Sequence, residues 1–384
     1  MSEALKDIYT EEFLNNFSRI VKNVYADFPC EYFLESVQGA SWETLALRAR
    51  MNRIVEVLGV CLPKNYGEAL KVLYAIDKYC TGFPYLFFPD FVSMYGLSEE
   101  NWELSMAALE RFTLGSSAEF AIRPFILLNP GRAMKKLQEW SNHPNEHVRR
   151  LSSEGCRPRL PWSMDLPIYK KDPSPVLALL ENLKADASLY VRKSVANNLN
   201  DIAKDNPEMV LETAQRWIGS APETNWILRH GCRTLIKKAN PRALALFGYE
   251  NPSEENPLFS SAALRVEPTQ LCIGEDCQLH YSINLQVRTK SNIRLEYGID
   301  FIKSNGKPSR KLFLLSDRAV SGELQASGTR NHSFADLTTR RHYPGVHRIV
   351  LLVNGQEAAE TTLLLNSNSF NLQYKTMADK GYDH

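Results

Sequence analysis

The feature that most constrains this chain is an internal repeat. His147-Val148-Arg149-Arg150-Leu151-Ser152-Ser153-Glu154-Gly155-Cys156 aligns with Tyr190-Val191-Arg192-Lys193-Ser194-Val195-Ala196-Asn197-Asn198-Leu199, and more loosely with Trp226-Ile227-Leu228-Arg229-His230-Gly231-Cys232-Arg233, at offsets of 43 and 36 residues. Each copy follows a segment ending in a short polar loop: Asn142 to Asn145, Ala185 to Ser188, and Ser220 to Glu223. That is the layout of two-helix HEAT-like repeats, which bury their apolar faces against their neighbours and stack into a curved solenoid. Helical spacing extends upstream, in Leu45, Leu47, Ile54, Val55, Val57 and Leu58 and again in Leu70, Val72, Leu73 and Ile76. Prolines such as Pro63, Pro144, Pro175, Pro207 and Pro222 fall between these segments or at their starts, where a missing N–H costs little.

The texture changes after Tyr249. Glu250-Asn251-Pro252-Ser253-Glu254-Glu255-Asn256-Pro257 reads as an acidic, proline-bracketed linker. Beyond it Leu279, Tyr281, Ile283, Leu285 and Val287 alternate, as do Leu295, Tyr297 and Ile299, then Ile349, Leu351 and Val353 before Asn354-Gly355. Such alternation predicts strands, and the Asn-Gly pair predicts a tight hairpin turn with Glu360 to Leu365 returning. About 110 residues with seven or so short strands close most simply as an immunoglobulin-like β-sandwich. The expected chain is thus mainly α: a HEAT-like helical-repeat solenoid over 1–250, a linker over 251–257, an immunoglobulin-like β-sandwich over 258–366, and a patternless tail over 367–384.

At 384 residues and 43.7 kDa, with 44% hydrophobic and 23% charged residues, the chain is too large for a single small core and too apolar for disorder. No run approaches the roughly 18 apolar residues of a membrane span, and the start, Met1 to Tyr9, is polar, so a cytoplasmic protein that avoids membranes is expected. Seven scattered cysteines with no C-x-x-C point to buried thiols rather than a metal site or disulfide framework. The net charge of +1 hides an uneven split: 10 Lys+Arg against 16 Asp+Glu from Met1 to Thr113, 15 against 11 from Trp140 to Asn240, and 13 against 10 from Asn256 to Leu365. The two later regions suit a polyanionic partner. Phosphate-loop, dinucleotide, nucleophile-elbow and H-E-x-x-H motifs are all missing, which excludes their chemistries and leaves no cofactor implied. His143, His147 and His230 read as polar or capping residues.

The carboxylates of the repeat helices remain. Glu154 and Asn197 occupy equivalent positions, and Asp201 lies one turn beyond Asn197, so Glu154 and Asp201 can converge across neighbouring helices. Glu119, just after serines suited to capping, is the third candidate. Around them lie Arg123, Arg149, Arg150, Arg157, Arg159, Arg192, Lys193, Arg229 and Arg233, a density suited to a duplex backbone. Two readings stay open: the acids do chemistry, or they pair with the arginines between repeats. Trp162 is likewise either core or site. Among the sandwich loops Arg340-Arg341 is the strongest basic cluster, as a DNA contact or as solvated surface.

Four strings carry a resemblance: Ser117-Ala118-Glu119-Phe120-Ala121-Ile122-Arg123, the His147 to Gly155 segment, Arg157-Pro158-Arg159-Leu160-Pro161-Trp162, and Val191 through Asn200-Asp201. Together they resemble the DNA alkylation repair glycosylases with HEAT-like repeats, in particular the AlkC branch, whose two-domain members carry a similar appended sandwich. The resemblance implies excision of cationic methylated bases from double-stranded DNA, chiefly 3-methyladenine, with 3-methylcytosine and 1-methyladenine as further candidates, without base flipping. It also implies that Glu119, Glu154 and Asp201 face the deoxyribose of the lesion and that Trp162 packs on it. DNA contacts would come from Asn197 and the arginines and lysine above, in a protein expected to be a monomer. The two-tryptophan, one-aspartate arrangement of the sister AlkD branch cannot be traced. The rival class is a non-enzymatic HEAT-like adaptor that binds nucleic acid or protein.

Overall fold

The computed structural model describes residues 5–251, 258–337 and 340–367. Two compact units divide the chain, Met1–Cys232 and Arg233–His384.

The first unit is helical: α1 (Glu11–Val24), α2 (Cys30–Val37), α3 (Leu47–Cys61), α4 (Tyr66–Ile76), α5 (Phe87–Tyr95), α6 (Trp102–Gly115), α7 (Ile122–Leu128), α8 (Pro130–Trp140), α9 (Glu146–Gly155), α10 (Pro167–Lys171), α11 (Ser174–Leu183), α12 (Leu189–Ile202), α13 (Pro207–Trp217) and α14 (Pro222–Gly231). The three aligned strings become α9, α12 and α14. They form one layer, with α9 packed between α6 and α12 and α12 against α14, while α8, α11 and α13 back them. Local chemistry starts each helix where the loops predict. Asn145 accepts the His147 N–H at 2.8 Å, Ser188 accepts that of Tyr190 at 3.2 Å, and a proline opens α8, α13 and α14. Val148 and Leu151 of α9, Val191, Val195 and Leu199 of α12, and Ile227 and Leu228 of α14 are fully buried, so each helix turns one apolar stripe inward. Gly155 permits close packing, since a Cβ there would lie 2.5 Å from Cγ2 of Ile122.

The second unit begins with α15 (Arg233–Lys237) and α16 (Pro241–Leu246) and continues into β1 (Phe259–Glu267), β2 (Gln270–Cys272), β3 (Asp276–Ile302), β4 (Pro308–Ser333), β5 (Gly345–Val353) and β6 (Gln356–Asn366). The strands run in the order β1-β3-β5-β6-β2 with β4 on β3, antiparallel except for β2 beside β6. The first half of β3 pairs with β1 and its second half with β5, so one strand joins both parts of the sheet. Strand number is therefore a correction: among the described residues six strands, two of them 27 and 26 residues long, replace seven or so short ones. The runs 279–287 and 295–299 are one strand whose register breaks between Val287 and Ser291. The intervening Arg288-Thr289-Lys290 is polar but contains neither glycine nor proline, so it bends the strand without ending it. The predicted hairpin is present, with φ of 45° at Asn354 and 86° at Gly355 as a tight turn requires.

The segment before the linker is fastened to these strands. Asn292 donates its backbone N–H to Gly248 at 2.7 Å, and the Tyr249 hydroxyl donates to Asp317 at 2.9 Å. Most of the expected linker and tail, residues 252–257 and 368–384, lies outside the described residues.

Candidate active site

Glu119 sits on the turn between α6 and α7, Glu154 in the last turn of α9, and Asp201 in the last turn of α12. Two arginines join them into one ladder. Arg150 reaches Glu119 at 3.2 Å and Glu154 at 3.7 Å; Arg157, just past α9, reaches Glu154 at 2.6 Å and Asp201 at 2.7 Å; Lys204 closes the far end on Asp201 at 2.8 Å. Ser194 of α12 donates its hydroxyl to the second Glu154 oxygen at 2.6 Å. The side chains of Glu119, Glu154 and Asp201 are 11%, 8% and 3% exposed, so accessibility falls along the ladder and Glu119 is the most open of the three.

The acids are thus paired with arginines between repeats and gathered at one place. Burial opposes the charge on Arg150 and Arg157, yet the flanking carboxylates overcome it and hold both guanidiniums above the ordinary arginine range. Ion pairs buried in this way repay their desolvation only when every oxygen is matched, and here all six carboxylate oxygens have a partner.

Trp162 is not core. It is 62% exposed, and its φ of 64° places it in the left-handed region that a bulky residue rarely adopts. Together with Phe83, Phe120, His147 and Glu119 it lines a cleft of about 240 Å³. The loop that carries it is fastened by Arg123, which corrects the reading of that residue as a DNA contact. Arg123 donates to the carbonyls of Gly155 (3.0 Å), Arg157 (2.8 Å) and Met164 (2.9 Å) and is completely buried, out of reach of a phosphate; burial lowers its guanidinium to about 10.

Other arginines have partners within the protein. Arg149 and Arg192, equivalent in the repeat, each turn back onto the preceding loop, Arg149 to the carbonyls of His143 and Pro144 and Arg192 to those of Asp186 and Ala187. Arg149 also holds Asp186 in a fork at 2.6 and 3.1 Å. These are loop clamps, required because each repeat loop ends with carbonyls that the next helix cannot satisfy. Arg157 is spent on the acids, and Arg159 is held in a fork by Asp205 at 2.6 and 2.9 Å. Lys193 is exposed and without an ion pair among the described residues; Asn197 and Arg229 are half-buried. In the second unit Arg233 and Arg341 are exposed, and Arg340 is half-buried with its guanidinium 5.1 Å from the Phe301 ring.

Sequence reasoning offered pairing between the acids and arginines but did not single out Arg150 and Arg157 as the bridges, although their spacing from Glu154, i−4 and i+3, is a signal for it. No group of side chains that could hold a metal ion occurs among the described residues, and none of their helices is long and apolar enough to cross a membrane.

Fold and site together define a class: a HEAT-like repeat protein with an acid–arginine ladder on its repeat helices and an immunoglobulin-like domain appended. Residues 260–367 match the family model described as the C-terminal Ig-like domain of the uncharacterised protein YhaZ. The chain is 44% identical over 352 residues to the uncharacterized protein YhaZ of Bacillus subtilis (strain 168), covering 92% of this chain and 96% of that one. It is also similar to the Pseudomonas fluorescens alkylpurine DNA glycosylase AlkC, solved bound to DNA containing an abasic site analog, at 39% identity and a TM-score of 0.88 over 95% of this chain and all of that one. The chain belongs to the AlkC branch of the HEAT-like-repeat family, together with YhaZ.

Proposed function

We propose that this protein is a DNA glycosylase that removes cationic N-alkylated bases from double-stranded DNA, 3-methyladenine chiefly and 3-methylcytosine and 1-methyladenine in addition, without flipping the base. The observation that carries the reading is the meeting of Glu119, Glu154 and Asp201 in one ladder with an exposed, strained Trp162 beside its open end. The likeness to AlkC supports it.

The chemistry follows from charge. A base already positive leaves with the electron pair of its glycosidic bond and becomes neutral, so no general acid is needed. Positive charge develops instead on the deoxyribose, where fixed carboxylates stabilise it and orient the incoming water. Arg150 and Arg157 hold the acids in place, and Trp162 offers a face to the sugar. Neither cofactor nor metal takes part, and the enzyme works as a cytoplasmic monomer. Lys193, Asn197, Arg229, Arg233, Arg340 and Arg341 are the remaining candidates for DNA contacts.

One observation favours a second reading. Because every carboxylate oxygen is already paired, the ladder also suits a non-enzymatic adaptor that binds nucleic acid or protein. Incubation with a duplex carrying a single 3-methyladenine, followed by alkaline cleavage at abasic sites, separates the two. Strand breaks at the lesion above the spontaneous background are expected. Tight binding with no breaks would leave the adaptor.

A further inference from the structure

The ladder does not begin at Glu119. On the far side of the turn that carries it, Arg48 of α3 grips Asp90 of α5 in a fork at 2.9 and 3.3 Å, and the same guanidinium lies 4.8 Å from the centre of the Phe120 ring. Asp90 is nearly enclosed, its side chain 7% exposed, while Arg48 remains one third exposed. From the opposite side Arg150 of α9 donates to Ser117 at 2.9 Å and to Glu119 at 3.2 Å. The turn Ser117 to Phe120 is therefore clamped between two arginines, one under the ring of Phe120 and one on the carboxylate next to it.

We infer that Arg48 and Asp90 are positioning residues of the active site, holding the Glu119–Phe120 turn so that the Glu119 carboxylate faces the sugar of the lesion. The inference rests on the glycosylase reading above and adds two residues from helices outside the aligned repeats. Three features argue for it. Arg48 does two jobs that need its planar fork, a bidentate grip on Asp90 and a stack on an aromatic face. The pair joins α3 to α5, and α7, the helix that follows the turn, also packs on α5. Asp90 also senses the site electrically: burial raises its carboxyl above the ordinary range, Arg48 opposes the rise, and the Glu119 carboxylate adds to it. A buried acid kept beside another acid, with one arginine serving it, is an arrangement that packing alone does not call for. Other charged or titratable groups around the turn are Arg150 and Glu154 from α9, Tyr190 from α12, and His147 on the cleft wall.

The test measures single-turnover excision of 3-methyladenine from a defined duplex by the full chain, with affinity for undamaged duplex followed in parallel by fluorescence anisotropy. Arg48→Gln is expected to slow excision about 10-fold with binding unchanged within about twofold, and Asp90→Asn about threefold, because misplacing one group costs rate rather than affinity. On a Glu119→Gln background Arg48→Gln should slow excision no further, since the group it positions is already disabled. Wild-type rates for Arg48→Gln and Asp90→Asn, losses that multiply with that of Glu119→Gln, or excision and binding falling together would each overturn the inference. A wild-type protein that leaves the methylated duplex intact would instead remove the glycosylase reading, and this inference with it.

Discussion

Both units bury charged pairs, Arg294 with Glu296 in the β unit among them, and they differ in what is built around those pairs. The helical unit keeps Glu154, Asp201 and Arg157 as a buried chain of full charges. The β unit packs His332, His342 and His347 around Phe301 and Phe334, with ring centroids 5.1 to 6.0 Å apart, and burial holds all three imidazoles below their ordinary range, His332 down to about 4. Each buried ion costs several kcal/mol before its partner repays it, and apolar residues of the same volume often hold a fold as well or better. The three carboxylates gathered along neighbouring repeat helices are what supports the proposed site in the helical unit.

The contrast can be broken most severely at Arg157. Arg157→Met leaves Glu154 and Asp201 buried without their shared counter-charge, and a loss of about 3 to 5 kcal/mol is expected for the helical unit. All six tryptophans lie in that unit, so denaturation followed by tryptophan emission reads it selectively, and unchanged stability would show the ladder to be solvated. Removing single negative charges isosterically sharpens the same point. Glu154→Gln and Asp201→Asn should each lower excision about 10²- to 10³-fold while duplex binding persists, as removal of one fixed electrostatic group from an active site typically does.

The β unit should respond to protons instead. The folded-state value of His332 is depressed, so its contribution is complete above the unfolded value near 6.5 and is lost as pH falls toward about 4, a total of about 3 kcal/mol. Far-UV circular dichroism of strand unfolding across that window should show the loss, and His332→Asn should flatten it. The smallest effect separates the basic residues. Lys193→Ala should make the salt dependence of DNA binding shallower by about one ion, whereas Arg149→Ala, whose guanidinium is spent on Asp186 and two loop carbonyls, should leave the slope alone.

What could be read from the chain was whatever repeats locally. Equivalent strings located α9, α12 and α14, alternation and Asn354-Gly355 located the β5–β6 hairpin, and the matching strings singled out Glu119, Glu154, Asp201 and Trp162. Sidedness was harder. Arg123, Arg149, Arg192 and Lys193 are all basic residues on or beside helices, yet only the fold shows that the first is sealed under the Trp162 loop and that the next two are folded back onto carbonyls. Partners distant in sequence leave no local pattern: Arg48 meets Asp90 across 42 residues and Arg157 meets Asp201 across 44. The length of β3 was hidden for a related reason, since the polar residues at its bend look like those of a loop.

The central claim is that carboxylates fixed on the repeat helices assist a base that leaves already charged. Its most direct test is to compare single-turnover excision of 3-methyladenine with that of its uncharged isostere 3-deaza-3-methyladenine, placed at the same position of the same duplex. Release of the cationic base with the isostere left intact is the predicted result, whereas equal rates for the two would contradict the account.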